Sequence, residues 1–454
     1  MSKYSEASST APQGLNIIIV GGGIAGLAAA RTLRERHNVT VLEQWGMKSE
    51  TGAAIHTGPN ASKLVLKWGV DLSESPHFKV VREHTGKGKK VMEQRLDPAA
   101  MWGAPWLLNH RVTLHKQLLA NATADDGTVP GKAPKILLGK KVVRANVDDT
   151  SVTLDDGTVL KADILIAADG IRSVIQREVI GDTLVAKPSG HSAYRCLIPG
   201  EPIKADPEWS YLFDTSGCNI FLAEDRRVVA YTCAYQGRDY INIVAACPDK
   251  SLSEGVDSKE SWSERGSVAE LVKTFSDFSP AIQRLLSYSE ECGLWQLRDQ
   301  DPLKNWHKNQ TVLIGDAAHP MLPHLGQGGS QAIEDADMLG YLFKDVDSTA
   351  SHSLIEKRLQ KFFELRWPRA TFCQENSRSQ ALGVRENDAE LGVPILNPLK
   401  TAHYLYTYED GETWAAQQAE VGKAKNESML DAVDRSITVP PQVAQATAPQ
   451  VATI

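Results

Sequence analysis

Hydrophobic and polar positions fall along this chain in two textures. In the first part, short wholly apolar runs alternate with stretches of helical spacing. Ile17–Val20 is such a run; it enters a glycine turn, and a small-residue helix is predicted from Leu27 to about Arg36 before a second apolar run ends in Glu43. Strands apolar on both faces are those of buried parallel sheets. Asn60 stands where it can cap a helix carrying Leu64, Val65 and Trp68. Leu114, Leu118 and Leu119 predict a helix over 110–119. Val152–Leu154 and Val159–Lys161 flank Asp-Asp-Gly-Thr, a strong hairpin signal. Ile164–Ala167 is another buried strand, ending in Asp169-Gly170.

From about 186 to 292 the texture changes to strand-like pieces separated by turn residues: Ser192–Leu197, Tyr211–Phe213, Asn219–Leu222, Val228–Cys233 and Tyr240–Ala245. These predict one mainly antiparallel sheet. Residues 248–266 are polar and read as loop, and Val268–Ser289 reads as helix. Thr311–Ile314 is a further apolar strand running into a loop rich in Gly and Pro, then a helix over Ser330–Phe343. Helical spacing resumes over 352–380, with a kink or break expected at Trp367-Pro368. The expected fold is α/β: a Rossmann-like nucleotide domain (15–185 with an excursion over 71–103, then 293–345) interleaved with a sheet domain (186–292), followed by a helical region (346–436). Residues 1–14 and 437–454 are expected to be disordered.

Composition narrows this only a little. A chain of 454 residues with 42% hydrophobic and 23% charged residues is an ordinary globular protein. A net charge of -7 disfavours nucleic acid as a partner. The six cysteines form no metal or C-x-x-C spacing and read as free thiols of a reducing compartment, so no metal site is expected and a cytoplasmic location is. The polar N-terminus shows no signal peptide, and no run is long enough for membrane insertion.

The chemistry concentrates in Asn16–Glu43. Gly21 permits a tight turn, Gly23 lets a pyrophosphate approach the backbone, and Gly26 lets helix and strand pack closely. The helix N-terminus offers free N–H groups to phosphates. Glu43, 17 residues past Gly26, can accept from ribose hydroxyls and would repel a 2′-phosphate. The loop Gly326, Gly328, Gly329 opens a helix with a second positive dipole end. Arg111 opens a helix, as a solvated charge or a phosphate partner, and Asp169 ends a strand beside the nucleotide site, as a cofactor contact or a plain turn. His56 sits in a loop as a functional histidine or, with no visible partner nearby, an ordinary loop histidine, and the second reading is preferred.

Three stretches together, VGGGIAGLAAA with VLE, ADILIAADGIRS and TVLIGDAAHPMLPHLGQGGSQAIEDA, resemble the single-component FAD-dependent aromatic hydroxylases, in particular the salicylate hydroxylase-like branch. Shorter matches lie at HRVTLHKQLL, LRDQDPLKNW, AYRCLIP, AYTCAYQGRDYINIVA and WPRATFCQENSR. The resemblance implies that Gly21, Gly23, Ala25, Gly26, Glu43, Gly52 and Ala53 belong to the FAD site. It places Arg111 near the flavin phosphates or ribityl chain, Asp169 at FAD and transient NAD(P)H contacts, and Asp316 at the ribityl hydroxyls. It sets Gly326, Gly328 and Gly329 at the flavin N1–C2=O edge and Pro323 at the re-side of the ring, while Arg195 and Tyr231 face the substrate.

The implied reaction is NAD(P)H- and O2-dependent hydroxylation of a small phenolic substrate through a flavin C4a-hydroperoxide, with decarboxylation if the substrate is salicylate-like. Hydroxylative dearomatisation of a polyketide-type phenol is the alternative, and a non-catalytic flavoprotein sensor or scaffold is the rival of another class. The protein is expected as a monomer or homodimer. Two departures fall in the substrate strands: Thr232 stands where the family often has Pro, and Cys196 where Gly is common.

Overall fold

The computed structural model describes residues 14–46, 53–181, 186–249, 264–381 and 398–423. Gly52 and the two terminal segments expected to be disordered (apart from Gly14) lie outside these residues, as does most of the polar stretch 248–266.

The apolar runs form a six-stranded sheet in the order His307–Lys308, Thr311–Leu313, Ile164–Ala167, Asn16–Val20, Asn38–Glu43, Lys135–Leu138. It is parallel except for the short His307–Lys308 edge. Ile17 sits between Val39 and Ile164 in register, so the three strongest apolar runs lie side by side, with helices Ile24–Leu33 and Gly328–Phe343 packed in the same core. The Asp-Gly hairpin forms as expected, with Gly157 at φ +83°.

The second sheet has eight strands and is antiparallel but for one pair. Its middle is Cys292–Asp299, Lys187–Pro199, Arg238–Pro248, Arg227–Tyr235 and Gly217–Leu222. The excursion after residue 71 supplies two more strands, Val80–Thr85 and Lys90–Arg95, at one edge. One face packs on helices Val268–Thr274 and Pro280–Ser287 through Phe275, Phe278, Leu285 and Leu286. The other face looks toward the nucleotide sheet.

Several local expectations change. Val268–Ser289 is two helices, because Ser279 caps a new one at Pro280 by accepting from Ile282 N–H. Tyr211–Phe213 lies in a 3₁₀ turn, since the chain from Asp206 is wound back on itself: Trp209 and Ser210 N–H both donate to the Asp206 carbonyl. Asn60 lies within the helix Pro59–Lys67 and is buried; its amide donates to Gln327 and Glu334. Pro368 does not end its helix, which runs His352–Ala381. The neighbouring Arg366 and Arg369 are anchored in carboxylates of the adjoining helix, which offsets the lost backbone hydrogen bond.

Candidate active site

A cavity of about 640 Å³ runs from the first glycine turn to the face of the eight-stranded sheet. Its size suits a small-molecule site.

At the nucleotide end, each glycine has its own steric reason. Gly21 is at φ +105°, and a Cβ there would collide with the Ala168 carbonyl. A Cβ on Gly26 would collide with the Gly21 carbonyl. A Cβ on Gly23 meets nothing within 4 Å; the space before it is open. The helix Ile24–Leu33 begins at this point with no side chain capping it, so its first N–H groups face the opening. His115 Nε2–H donates to the Gly22 carbonyl at 2.8 Å and braces the turn from the helix Arg111–Thr123. Glu43 accepts from Gly22 N–H at 2.7 Å and from Trp45 N–H at 2.8 Å. Its carboxylate thus ties the end of the second strand to the glycine turn, and Glu43 itself does not line the cavity.

The middle of the cavity is lined by Ala25, Ala53, Arg111, Asp316, Gly326, Gly328 and Gly329. Asp316 lines the cavity with an exposed side chain; the protein crowded around it raises its carboxyl, against the pull of His319 and Arg111. Gly326 takes φ +63°, and a Cβ on Gly329 would press Ile55 at 2.9 Å. The Gly328–Phe343 helix is uncapped by any side chain and aims its N-terminus into the cavity. Asp169 does not line the cavity, although Ala168 and Gly170 do. It accepts from Val174 N–H at 2.9 Å and closes the turn after its strand. Burial nevertheless pushes its carboxyl up, and Oδ1 is buried without a hydrogen bond.

The sheet forms the far wall. Alternate residues face it: Arg227, Val229 and Tyr231 from one strand, Asn242, Val244 and Ala246 from the next, Ala193 and Arg195 from the third. Arg195 lies over the Trp295 ring at 5.5 Å, and its Nε is buried without a partner. Burial lowers its pKa, with Arg111 adding to the effect and Tyr231 opposing it. Burial pushes the Tyr231 hydroxyl well above the usual phenol range, so it stays protonated. Pro323 lies on the opposite wall.

His56 was not legible as a site residue. It lies on the strand Ala54–Thr57, lines the cavity, and meets the Tyr231 ring edge-on at 4.3 Å between centroids. Phe78 and Trp106, stacked at 4.1 Å, flank it. Burial holds its pKa down to about 4, so it is neutral at pH 7, and Nε2 has no partner. Two helix N-termini lining one cavity, an open glycine approach and a carboxylate beside an arginine make a site that fits a dinucleotide with its pyrophosphate and polyol chain.

Sequence comparison gives this nucleotide site a family. The chain matches the FAD binding domain family over residues 15–361. It belongs to the FAD-dependent monooxygenases. It is 34% identical to the FAD-dependent monooxygenase cfoG of Aspergillus candidus over 374 residues, 80% of this chain and 84% of that one. It is also 34% identical to 6-hydroxynicotinate 3-monooxygenase of Pseudomonas fluorescens, over 74% of this chain and 84% of that one. The fold is that of a salicylate hydroxylase solved with its substrate, at a TM-score of 0.66 and 24% identity, covering 94% of this chain and 99% of that one. This monooxygenase is an FAD enzyme of the group that hydroxylates aromatic and heteroaromatic rings. Among its described residues no helix is long and apolar enough to cross a membrane. Its six cysteines are free and buried.

Proposed function

We propose that the enzyme uses NAD(P)H and O2 to hydroxylate an acidic phenol or hydroxylated heteroarene, in the reducing interior of the cell. The observation that carries this reading is the pairing of Arg195 and Tyr231 on the sheet face opposite the Gly326–Gly329 loop. FAD held here and reduced by NAD(P)H would supply the two electrons that activate O2, so that one oxygen atom goes to the ring and the other leaves as water.

The protein's part is to hold and ionise the ring. Arg195 attracts an oxyanion and orients it; a guanidinium whose burial already disfavours its charge gains most from an anionic partner. Tyr231, protonated across the physiological range, donates a hydrogen bond to the ring oxygen. His56, neutral and edge-on to the Tyr231 ring at 4.3 Å between centroids, holds that ring in place. Phe78, Trp106 and Met321 keep that end of the cavity apolar. Asp316 and Arg111 serve the polyol and phosphates of the cofactor, and Glu43 its ribose. Asp169, outside the lining, acts through the shape of its turn.

The test is NAD(P)H consumption by the FAD-loaded enzyme, with product mass, for salicylate, an acylated resorcinol and no substrate. The expected outcome is ring-dependent consumption with one added oxygen. Loss of CO2 from salicylate would assign decarboxylating hydroxylation, whereas oxygen added only to the acylated resorcinol would assign dearomatisation or simple hydroxylation. NAD(P)H loss that no ring compound accelerates would refute the reading.

A further inference from the structure

The wall of the cavity carries a second cation that the proposed chemistry does not use. Arg227 begins the strand that bears Tyr231, four residues earlier, and points to the same face. On a strand that separation is roughly 13 Å between Cα atoms. Arg195 stands two strands away, in the row of Val244 and Val229, opposite the midpoint between Arg227 and Tyr231. Two strand spacings are about 10 Å. Arg227, Arg195 and Tyr231 therefore mark a triangle on one face; Val229, Val244 and Ala246 between them are apolar and small, and Asn242 stands between Tyr231 and Arg195.

Arg227 hydrogen-bonds His324, which follows Pro323 in the loop that closes the cavity from the other side. A guanidinium nitrogen can only donate, so Nδ1 of His324 accepts and its proton resides on Nε2. That Nε2–H is buried and has no partner. Burial holds His324 down to about 3, with Arg227 and His191 adding to the effect, so the imidazole stays neutral. Burial also lowers the pKa of Arg227, with no opposing carboxylate. Among the described residues no ion pair reaches it. The corner thus holds a part-buried guanidinium with no carboxylate beside it, which is unfavourable until an anion arrives.

We propose that Arg227, positioned by His324, is a second anion-binding subsite, and that the substrate is an elongated acidic phenol with its reacting hydroxyl toward Tyr231 and a carboxylate or enolate one further ring away at Arg227. This rests on the hydroxylase reading given above. A single-ring acid such as salicylate engages Arg195 alone.

The experiment measures dissociation constants for the FAD-loaded enzyme by calorimetry. The probes are 4′-hydroxybiphenyl-4-carboxylate and 4-phenylphenol, the same two rings without the acid. The expected preference for the acid is ~10- to 100-fold, the range for a charge-assisted hydrogen bond. Arg227→Met collapses the preference to about twofold, and Arg227→Lys restores part of it. A preference near one in the unsubstituted enzyme, or one that survives Arg227→Met, overturns the inference. NAD(P)H oxidation with both probes is followed in parallel. If phenols accelerate it and the preference is absent, only the second subsite fails; if none does, the hydroxylase reading itself fails.

Discussion

Beneath the second glycine loop, Arg366 and Arg369 are wholly buried and fully met. Arg366 bonds Asp335 at 2.8 Å, Gln331 at 2.7 Å and Glu334, and Arg369 bonds Glu334 at 2.6 and 2.8 Å. Burial pushes Glu334 and Asp335 up, but the arginines and His319 more than offset it, and both carboxyls stay below their usual range. On the sheet above the same loop, Arg195 and Arg227 face a cavity and form no ion pair among the described residues. One pair of arginines is completed by the chain and the other is left incomplete. A completed buried network fixes a structure; an incomplete one awaits a ligand.

The largest effect separates these cases directly. Arg366→Met strands Glu334 and Asp335 without their cation and should cost ~3–5 kcal/mol of stability in urea unfolding. Asp335 also accepts from Gly315 N–H at 2.9 Å and from His319 at 2.7 Å, so the loop bearing Asp316 should loosen and FAD should bind more weakly. Equal stability of the parent and the variant would show that the network is ornamental to the fold.

A third acid on the same helix sharpens the contrast, because no arginine meets it. Asp337 accepts from Gly411 N–H at 2.6 Å and from Tyr408 at 3.3 Å. Burial raises its carboxyl to about 7, Asp410 adds to this, and Lys67 opposes it. Between pH 4 and 7 the folded chain keeps a proton that the unfolded chain has lost, so stability falls as pH rises through this window and levels off above it. The fall is at most about 4 kcal/mol for three pKa units. Asp337→Asn should flatten it, as read by Tm at pH 5 and 8. A Tm that rises over that interval in the parent but not in the variant would reverse the sign and sink the assignment.

On the unmatched side the expectation inverts. Arg195→Met removes a charge that has no carboxylate to abandon, so stability should stay within about 1 kcal/mol of the parent or rise. kcat/KM for an acidic phenol should fall ~100-fold, the loss of a charged hydrogen bond of roughly 2–3 kcal/mol. A stability loss like that of Arg366→Met would erase the distinction between the two regions.

The same contrast explains what the sequence could reveal. The glycine turns, the apolar strands and Glu43 announce themselves because backbone sterics and burial act locally. Arg195 and Tyr231 came from family likeness; nothing in their spacing tells a cavity arginine from an outward one. Arg227, His324 and His56 were missed because they are brought together by sheet register and by a loop some hundred residues distant. Which face a strand residue takes is set by its partners, and a shift of one residue would reverse it. Tyr211–Phe213 failed as a strand for a related reason: the Asp206 turn, held by Arg284, outweighs β propensity.

The smallest effect tests the glycine turn itself. Gly23 has φ -77°, which any residue adopts, and a Cβ there touches no protein atom within 4 Å. Its lack of a side chain is therefore of no use to the fold. Gly23→Ala should leave unfolding of the FAD-free chain within about 0.5 kcal/mol of the parent, or slightly raise it by restricting the unfolded chain. The added methyl occupies the space through which a pyrophosphate reaches the helix N-terminus, so FAD affinity should drop ~10-fold, about 1.4 kcal/mol. Flavin fluorescence titration reads the affinity and urea unfolding reads the fold. Gly26→Ala provides the opposite control, because its Cβ collides with the Gly21 carbonyl and should weaken both. If Gly23→Ala destabilised the FAD-free chain as Gly26→Ala does, the open space would be a packing feature and not the approach to a cofactor.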